Sequence, residues 1–167
     1  MTILDGAFWA VSLVLVASGA TKLAEPTAFA DALAGLGVGG PDGSSSRRWT
    51  AVGVGLVEVG LGLNALVLGG AVVAALAALA YAAFTAVVLV ARSRGMDSCG
   101  CFGARSGTPT VAHAAINAVS GLVCVAAVLA PPPAVSVGLG DLGTGAAVVA
   151  VVAVLAVAGA IIVVDTR

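Results

Sequence analysis

"TAVGVGLVEVGLGLNALVLGGAVVAALAALAYAAFTAVVLVA", Thr50 to Ala91, contains one charged residue, Glu58, and one adjacent glycine pair, Gly69-Gly70 near its centre. A bilayer core about 30 Å thick is crossed by roughly 20 apolar residues in a helix. This stretch is too long for one crossing even if tilted. It reads as two spans, about 50–68 and 71–91, folded into a tight helical hairpin at the glycine pair. Three further apolar stretches, about 4–22, 110–130 and 144–164, bring the expected number of spans to five.

Composition agrees. Across 167 residues the chain is 60% apolar and 9% charged, with a mean hydropathy of +1.17, far from the soluble range. The fold class expected is all-α, a polytopic transmembrane helical bundle. Seven Lys and Arg against eight Asp and Glu leave no basic excess to neutralise phosphates, so nucleic acid is excluded as a partner; the lipid bilayer is the partner expected. The first apolar segment begins behind Asp5 without a positive flank, and Lys22 closely follows the small-residue run Ala17-Ser18-Gly19-Ala20. It is read as a retained helix rather than a signal peptide.

Between the first two spans, Ala28, Phe29, Ala32, Leu33 and Leu36 recur at helical spacing while Glu25 and Asp31 fall elsewhere, which predicts a short interfacial helix over about 26–37. The Gly, Pro and Ser run that follows reads as a flexible linker. Residues 1–130 thus form the bundle, with a thiol loop at 92–109, and residues 131–167 a Pro-rich loop and a C-terminal span. With the N-terminus outside, Lys22, Arg47, Arg48, Arg92, Arg94, Arg105 and Arg167 all fall on the cytoplasmic side, in keeping with the positive-inside tendency. That orientation makes the thiol loop and the C-terminus cytoplasmic.

The loop carries "DSCGCFG", Asp97 to Gly103, with Cys99 and Cys101 one glycine apart. A disulfide between them closes a small ring near the limit of relaxed Cα separation, and strained or exposed disulfides are the labile, oxidising ones. Gly100 supplies backbone freedom for the closure. Arg92, Arg94 and Arg105 nearby in sequence, with His113 at the start of the next helix, are expected to favour thiolate. Three readings stand side by side: a redox-active dithiol, a metal site using both thiolates and His113, or incidental loop cysteines. A closed zinc site lacks its fourth ligand here, whereas two thiolates suit copper(I). Metal is therefore not assigned. Cys124 lies about 21 Å along the fourth span by helical rise and reads as a small residue in a helix interface.

Glu58 is the charge that lipid tolerates least, at a cost of at least a few kcal/mol when ionised near the midplane. Gly55, Gly62 and Gly69, seven residues apart, share a sector with it. Glu58 is therefore expected to face a neighbouring helix that approaches closely over the glycines. Lys22 is its candidate cationic partner; the bland alternative is a lysine that snorkels to the interface. Asn64 reads as an interhelical hydrogen-bond donor. Asn117 sits one turn after His113, on the face that can look toward the thiol loop. His113 reads equally as a general base for a cysteine or as an interfacial helix-end residue.

"SGATKLAEPTAFADALAGLG" from Ser18, "LVEVGLGL" around Glu58 and "RGMDSCGCFG" from Arg94 resemble, in order and spacing, the methylamine utilisation protein MauE family over roughly residues 4–130. The resemblance implies a four-helix DoxX-like core, to which this chain adds a fifth C-terminal span, in a bacterial cell membrane. It implies thiol redox traffic with a thioredoxin-like (MauD-like) partner, serving disulfide formation in, or electron transfer to, an extracytoplasmic protein. The matching positions are Lys22, Glu58, Cys99 and Cys101. Where the resemblance implies an arginine in the following helix, this chain has "AHAAINAV", so that His113 would have to substitute for it in steadying a thiolate or binding a partner.

The leading expectation is a membrane thiol-disulfide oxidoreductase or electron-relay component, drawing electrons from a cytoplasmic thiol donor if the loop is cytoplasmic. Arg94 and Arg105 favour thiolate, His113 accepts a proton, and Glu58 tunes the interior. Two rivals are a small-molecule transporter or binder that uses Glu58 and Lys22, and a non-catalytic assembly subunit. A homo-oligomer is compatible with each. No cofactor motif is visible, and quinone sites leave none, so a quinone is admitted without support.

Overall fold

In a computed structural model, residues 2–39, 43–101 and 107–140 are described; they are helical, with no strand among them. Four helices are long and apolar enough to cross a membrane: α1 (Ile3–Ala24), α3 (Ser44–Val67), α4 (Ala71–Ser93) and α5 (Val111–Leu129). Two shorter ones, α2 (Pro26–Gly35) and α6 (Val135–Gly140), complete the described chain. The fifth span expected at 144–164 lies outside the described residues.

Local chemistry sets the boundaries. Thr2 and Asp5 form a capping box at the start of α1, the threonine hydroxyl accepting from the Asp5 amide and the carboxylate from the Thr2 amide. Pro26, lacking an N–H, cannot continue α1 and instead opens α2 at its first position. Gly69 and Gly70, with φ of +64° and +90°, make the turn between α3 and α4. A side chain at either position would be strained.

The long helices run up, down, up, down. Gly19 of α1 lies against Gly55 of α3, and further back along α1 the Ser12 carbonyl lies against Gly62, so the two helices are antiparallel. A Cβ on Gly19 would fall 2.6 Å from the Gly55 carbonyl, and one on Gly62 would fall 2.6 Å from the Ser12 carbonyl. Only bare backbone permits this approach. The α4–α5 pair meets through Tyr81 and Gly121 and, nearer the thiol end, through Val88, Ala91 and Ala114. Tyr81 ties the two pairs together by donating its hydroxyl to the Val11 carbonyl of α1 at 2.6 Å.

Two boundaries differ from expectation. The Gly, Pro and Ser linker is helical from Ser44 onward, so α3 begins about two turns before its apolar stretch. Those turns are supported by α2, whose Phe29 and Leu33 pack on Ala51 and Val54. The Pro-rich loop, for its part, is followed by the short α6 and closes one end of the bundle. Pro132 accepts from the Gly70 amide at 3.2 Å, and Pro133 from the Trp9 indole at 3.2 Å.

Candidate functional site

At the opposite end, the last turns of α1, the middle of α3 and the loop after α4 meet around one ammonium group. Lys22 is 0% exposed. Its Nζ donates to Ser18 Oγ at 2.7 Å, to Glu58 Oε2 at 2.9 Å and to the Cys101 carbonyl at 2.9 Å. An ammonium has three N–H donors, and all three are used. Glu58 Oε1 also lies 2.9 Å from Nζ, yet it accepts no hydrogen bond among the described residues. The phenyl rings of Phe29 and Phe84 stand 5.2 and 5.4 Å from the cation, within cation–π range. Lys22 is a buried partner of Glu58, not a snorkelling interfacial charge.

The sequence makes this meeting local and cheap. Ser18 and Lys22 are one helical turn apart on α1, and the glycine contacts hold α3 close enough for Glu58 to reach across. Burying two ions costs several kcal/mol each unless the geometry and the remaining hydrogen bonds compensate. Here Ser18, two aromatic rings and a backbone carbonyl share that task. Ser18 Oγ in turn donates to the same Cys101 carbonyl at 2.9 Å. One peptide oxygen of the thiol turn therefore accepts from both a hydroxyl and a cation.

The turn is consequently buried rather than displayed in a polar loop. Cys99 is 3% and Cys101 7% exposed, and both pack with Val88, Ala91 and Ala114. Gly100, at φ +68°, lies directly against α2: a Cβ there would stand 2.9 Å from Phe29 Cα and 3.0 Å from the Ala28 carbonyl. The apolar face of α2, expected to rest on the membrane interface, covers the thiol turn and Lys22.

The expected thiolate-favouring surroundings are corrected. Arg94 is exposed and donates to the Gly35 carbonyl at 3.2 Å, Arg92 is exposed, and Arg105 lies outside the described residues. The cation near the pair is Lys22. Its pull is outweighed by hydrogen bonding between the two thiols, by burial and by the charge of the neighbouring sulfur, which together hold the Cys101 thiol well above the ordinary range.

His113 has a structural task that sequence reading missed. It is the third residue of α5, where its Nδ1 accepts from the Thr110 amide at 3.3 Å while its own amide donates to Thr110 Oγ1. This is a capping box with imidazole in place of the usual carboxylate. Its Nδ1 also lies 2.9 Å from Thr110 Oγ1, so the ring is held at the start of α5 by both the amide and the hydroxyl of the capping residue. The ring still lines a small recess of about 20 Å³ with Val14, Tyr81, Val88, Cys99, Cys101 and Asn117. Asn117 therefore does look toward the thiols. Asn64, by contrast, is exposed and bonds back to the Gly60 carbonyl of its own helix at 2.7 Å, not to another helix. Cys124 is buried in a separate cluster with Phe8, Trp9 and Tyr81.

Four membrane-length helices with a buried ion pair beneath a dithiol turn define a multi-pass membrane protein organised around one polar centre. The profile of the methylamine utilisation protein MauE family matches residues 1–132. The chain belongs to that family. No curated protein and no solved structure matches it.

Proposed function

We propose that this chain is a membrane thiol-disulfide exchange component whose Cys99–Cys101 pair passes electrons to or from a thioredoxin-like partner. The observation that carries this reading is the burial of both cysteines, one glycine apart, in a single turn whose backbone is clamped by Ser18 and by an ion pair. When the pair is the electron donor, one thiol loses its proton and attacks a sulfur of the partner's disulfide, breaking that bond and forming a mixed disulfide. The second thiol then attacks the mixed disulfide. The products are a Cys99–Cys101 disulfide and a partner dithiol, with two electrons and two protons transferred.

Lys22 and Ser18 act as positioning residues, because both donate to the Cys101 carbonyl and so hold the turn that carries the sulfurs. Arg47, Arg48, Arg92 and Arg94 lie at the thiol end and Asp5 at the other, which favours a cytoplasmic thiol end. The binder reading finds less support, since every Lys22 donor is spent on the protein itself. The test is to trap the intermediate. Cys99→Ser and Cys101→Ser single variants are expected to accumulate a mixed disulfide with a thioredoxin-like protein on non-reducing gels of native membranes, and the double variant none. Absence of any adduct together with full function of the double variant would overturn the proposal.

A further inference from the structure

Both sulfurs lie beneath α2, so exchange with a protein requires that α2 move. The recess on their other side, about 20 Å³, has room for about one water and does not admit a partner's disulfide. Over the turn itself, Gly100 is pressed against Ala28, Phe29 and Ala32. The other side of α2 is open: Glu25 at its start and Thr27, Asp31 and Ala34 along its length are exposed. Two carboxylates there suit water and not hydrocarbon, so α2 stands between the aqueous phase and the thiols.

This cover is lightly held and can pivot at both ends. Its buried side offers two large side chains, Phe29 and Leu33; the others are Ala30 and Ala32. At its start, Pro26 has no N–H to bond back into α1, and Glu25 leaves helical geometry at φ −131° and ψ 66°. Past its end, Gly37 and Gly39 take φ of +76° and +87°, where glycine turns without strain. A few such positions suffice to absorb a hinge motion. The fastening is at Gly35: Arg94 Nη1 donates to its carbonyl at 3.2 Å, and the Met96 methyl packs so closely that a Cβ on Gly35 would fall 2.6 Å from it. Arg94 and Met96 belong to the segment that runs from α4 into the thiol turn, so cover and turn are fastened to each other.

We propose that α2 is a hinged lid, latched at Gly35 by Arg94 and Met96, whose opening uncovers Cys99 and Cys101 to the disulfide of a protein partner. The lid rests on the exchange reading above and deepens it. The pair reacts with a partner only for the fraction of time that α2 is open, while the four long helices stay packed. Arg94 is then a positioning residue that acts through α2, not on the sulfurs.

The experiment uses the full chain, reduced, in lipid nanodiscs. The probe is a thioredoxin whose single active-site cysteine is held in a disulfide with thionitrobenzoate. A Cys99 or Cys101 thiol gives its proton to solvent and attacks the thioredoxin sulfur. The mixed disulfide forms, and thionitrobenzoate leaves with the electron pair as a coloured thiolate whose absorbance gives the rate. Arg94→Ala is expected to raise that rate about fivefold, the effect of one lost hydrogen bond. Trp9→Phe, which removes a hydrogen bond at the far end of the bundle, is expected to leave it unchanged. In chains grown with photo-methionine, which enters at Met1 and Met96 alone, irradiation is expected to cross-link Met96 to Gly35. Mass spectrometry is expected to find this cross-link in the unreacted chains and not in the mixed-disulfide adducts. Equal acceleration by both variants, or adducts that carry the cross-link at its starting abundance, overturns the lid and leaves the exchange reading standing. If neither the wild type nor Arg94→Ala forms an adduct, both are overturned.

Discussion

The two ends of the bundle solve the same mechanical problem with different chemistry. At one end a loop is fastened by two peptide oxygens, Pro132 and Pro133, which accept from the Gly70 amide and the Trp9 indole. At the other a loop is fastened by one peptide oxygen, Cys101, which accepts from a hydroxyl and from an ammonium that is itself ion-paired. Neutral donors suffice to fasten a loop, so fastening alone does not explain a buried Lys22–Glu58 pair. What distinguishes the second loop is its two thiols. What the ion pair adds at this end is a charge held beneath the thiol turn, where Glu58 Oε1 accepts no hydrogen bond among the described residues.

The sharpest way to break this comparison is to remove the cation. Lys22→Met leaves Glu58 buried without its partner and is expected to destabilise the protein by about 3–5 kcal/mol, read as a loss of thermal stability in detergent together with faster alkylation of Cys99 and Cys101. The double variant Lys22→Met/Glu58→Leu is expected to regain most of the stability but not the protection of the thiols. Recovery of both would reduce the ion pair to an ordinary fastener, equivalent to the proline end.

Next in size are changes to the close contacts. Gly100→Ala puts a Cβ against α2 at a positive φ and is expected to cost about 1–3 kcal/mol. It should raise thiol accessibility, whereas a matching change at Gly62, which overpacks α1 against α3, should lower stability without singling out the thiols. Trp9→Phe removes one neutral hydrogen bond and is expected to cost about 0.5–1.5 kcal/mol, with cysteine reactivity unchanged.

The smallest effect expected is a pH dependence. Because the folded state holds the Cys101 thiol above its ordinary value of 9.0, the folded protein keeps a proton that the unfolded chain releases. Its contribution is complete below the unfolded value and is lost as pH rises toward the folded one. Stability should therefore fall in alkaline solution more steeply in the wild type than in Cys101→Ser, and maleimide labelling of Cys101 should lag behind that of a free thiol as pH is raised.

Much of this was legible in the residues. Helix length, the glycine pair and hydropathy locate the four described spans, because each is a local property of a window of chain. The Lys22–Glu58 partnership was also visible as a candidate, since a carboxylate amid apolar residues demands a cation and the glycine sector says which face meets a neighbour. The burial of the thiol turn was not. It depends on Gly100 meeting Phe29 and on a carbonyl reaching Lys22, contacts between segments dozens of residues apart that no periodicity encodes. Sequence proximity made the arginines look like the thiols' neighbours, but Arg94 points back to Gly35. The capping role of His113 was hidden because imidazole is an uncommon third residue in that motif. The early start of α3 was hidden because its first turns are polar and are held by α2 rather than by lipid.

The central claim is that Cys99 and Cys101 cycle as a pair, and it is tested most directly by trapping thiols in native membranes with a mass-tagging maleimide after controlled oxidation and reduction. The account expects two populations, with all three cysteines tagged or with Cys124 alone tagged, interconverting without a singly oxidised state. If Cys99 and Cys101 stay fully tagged after every oxidant, including under conditions that expose the turn, the pair is not a redox centre and the account is wrong.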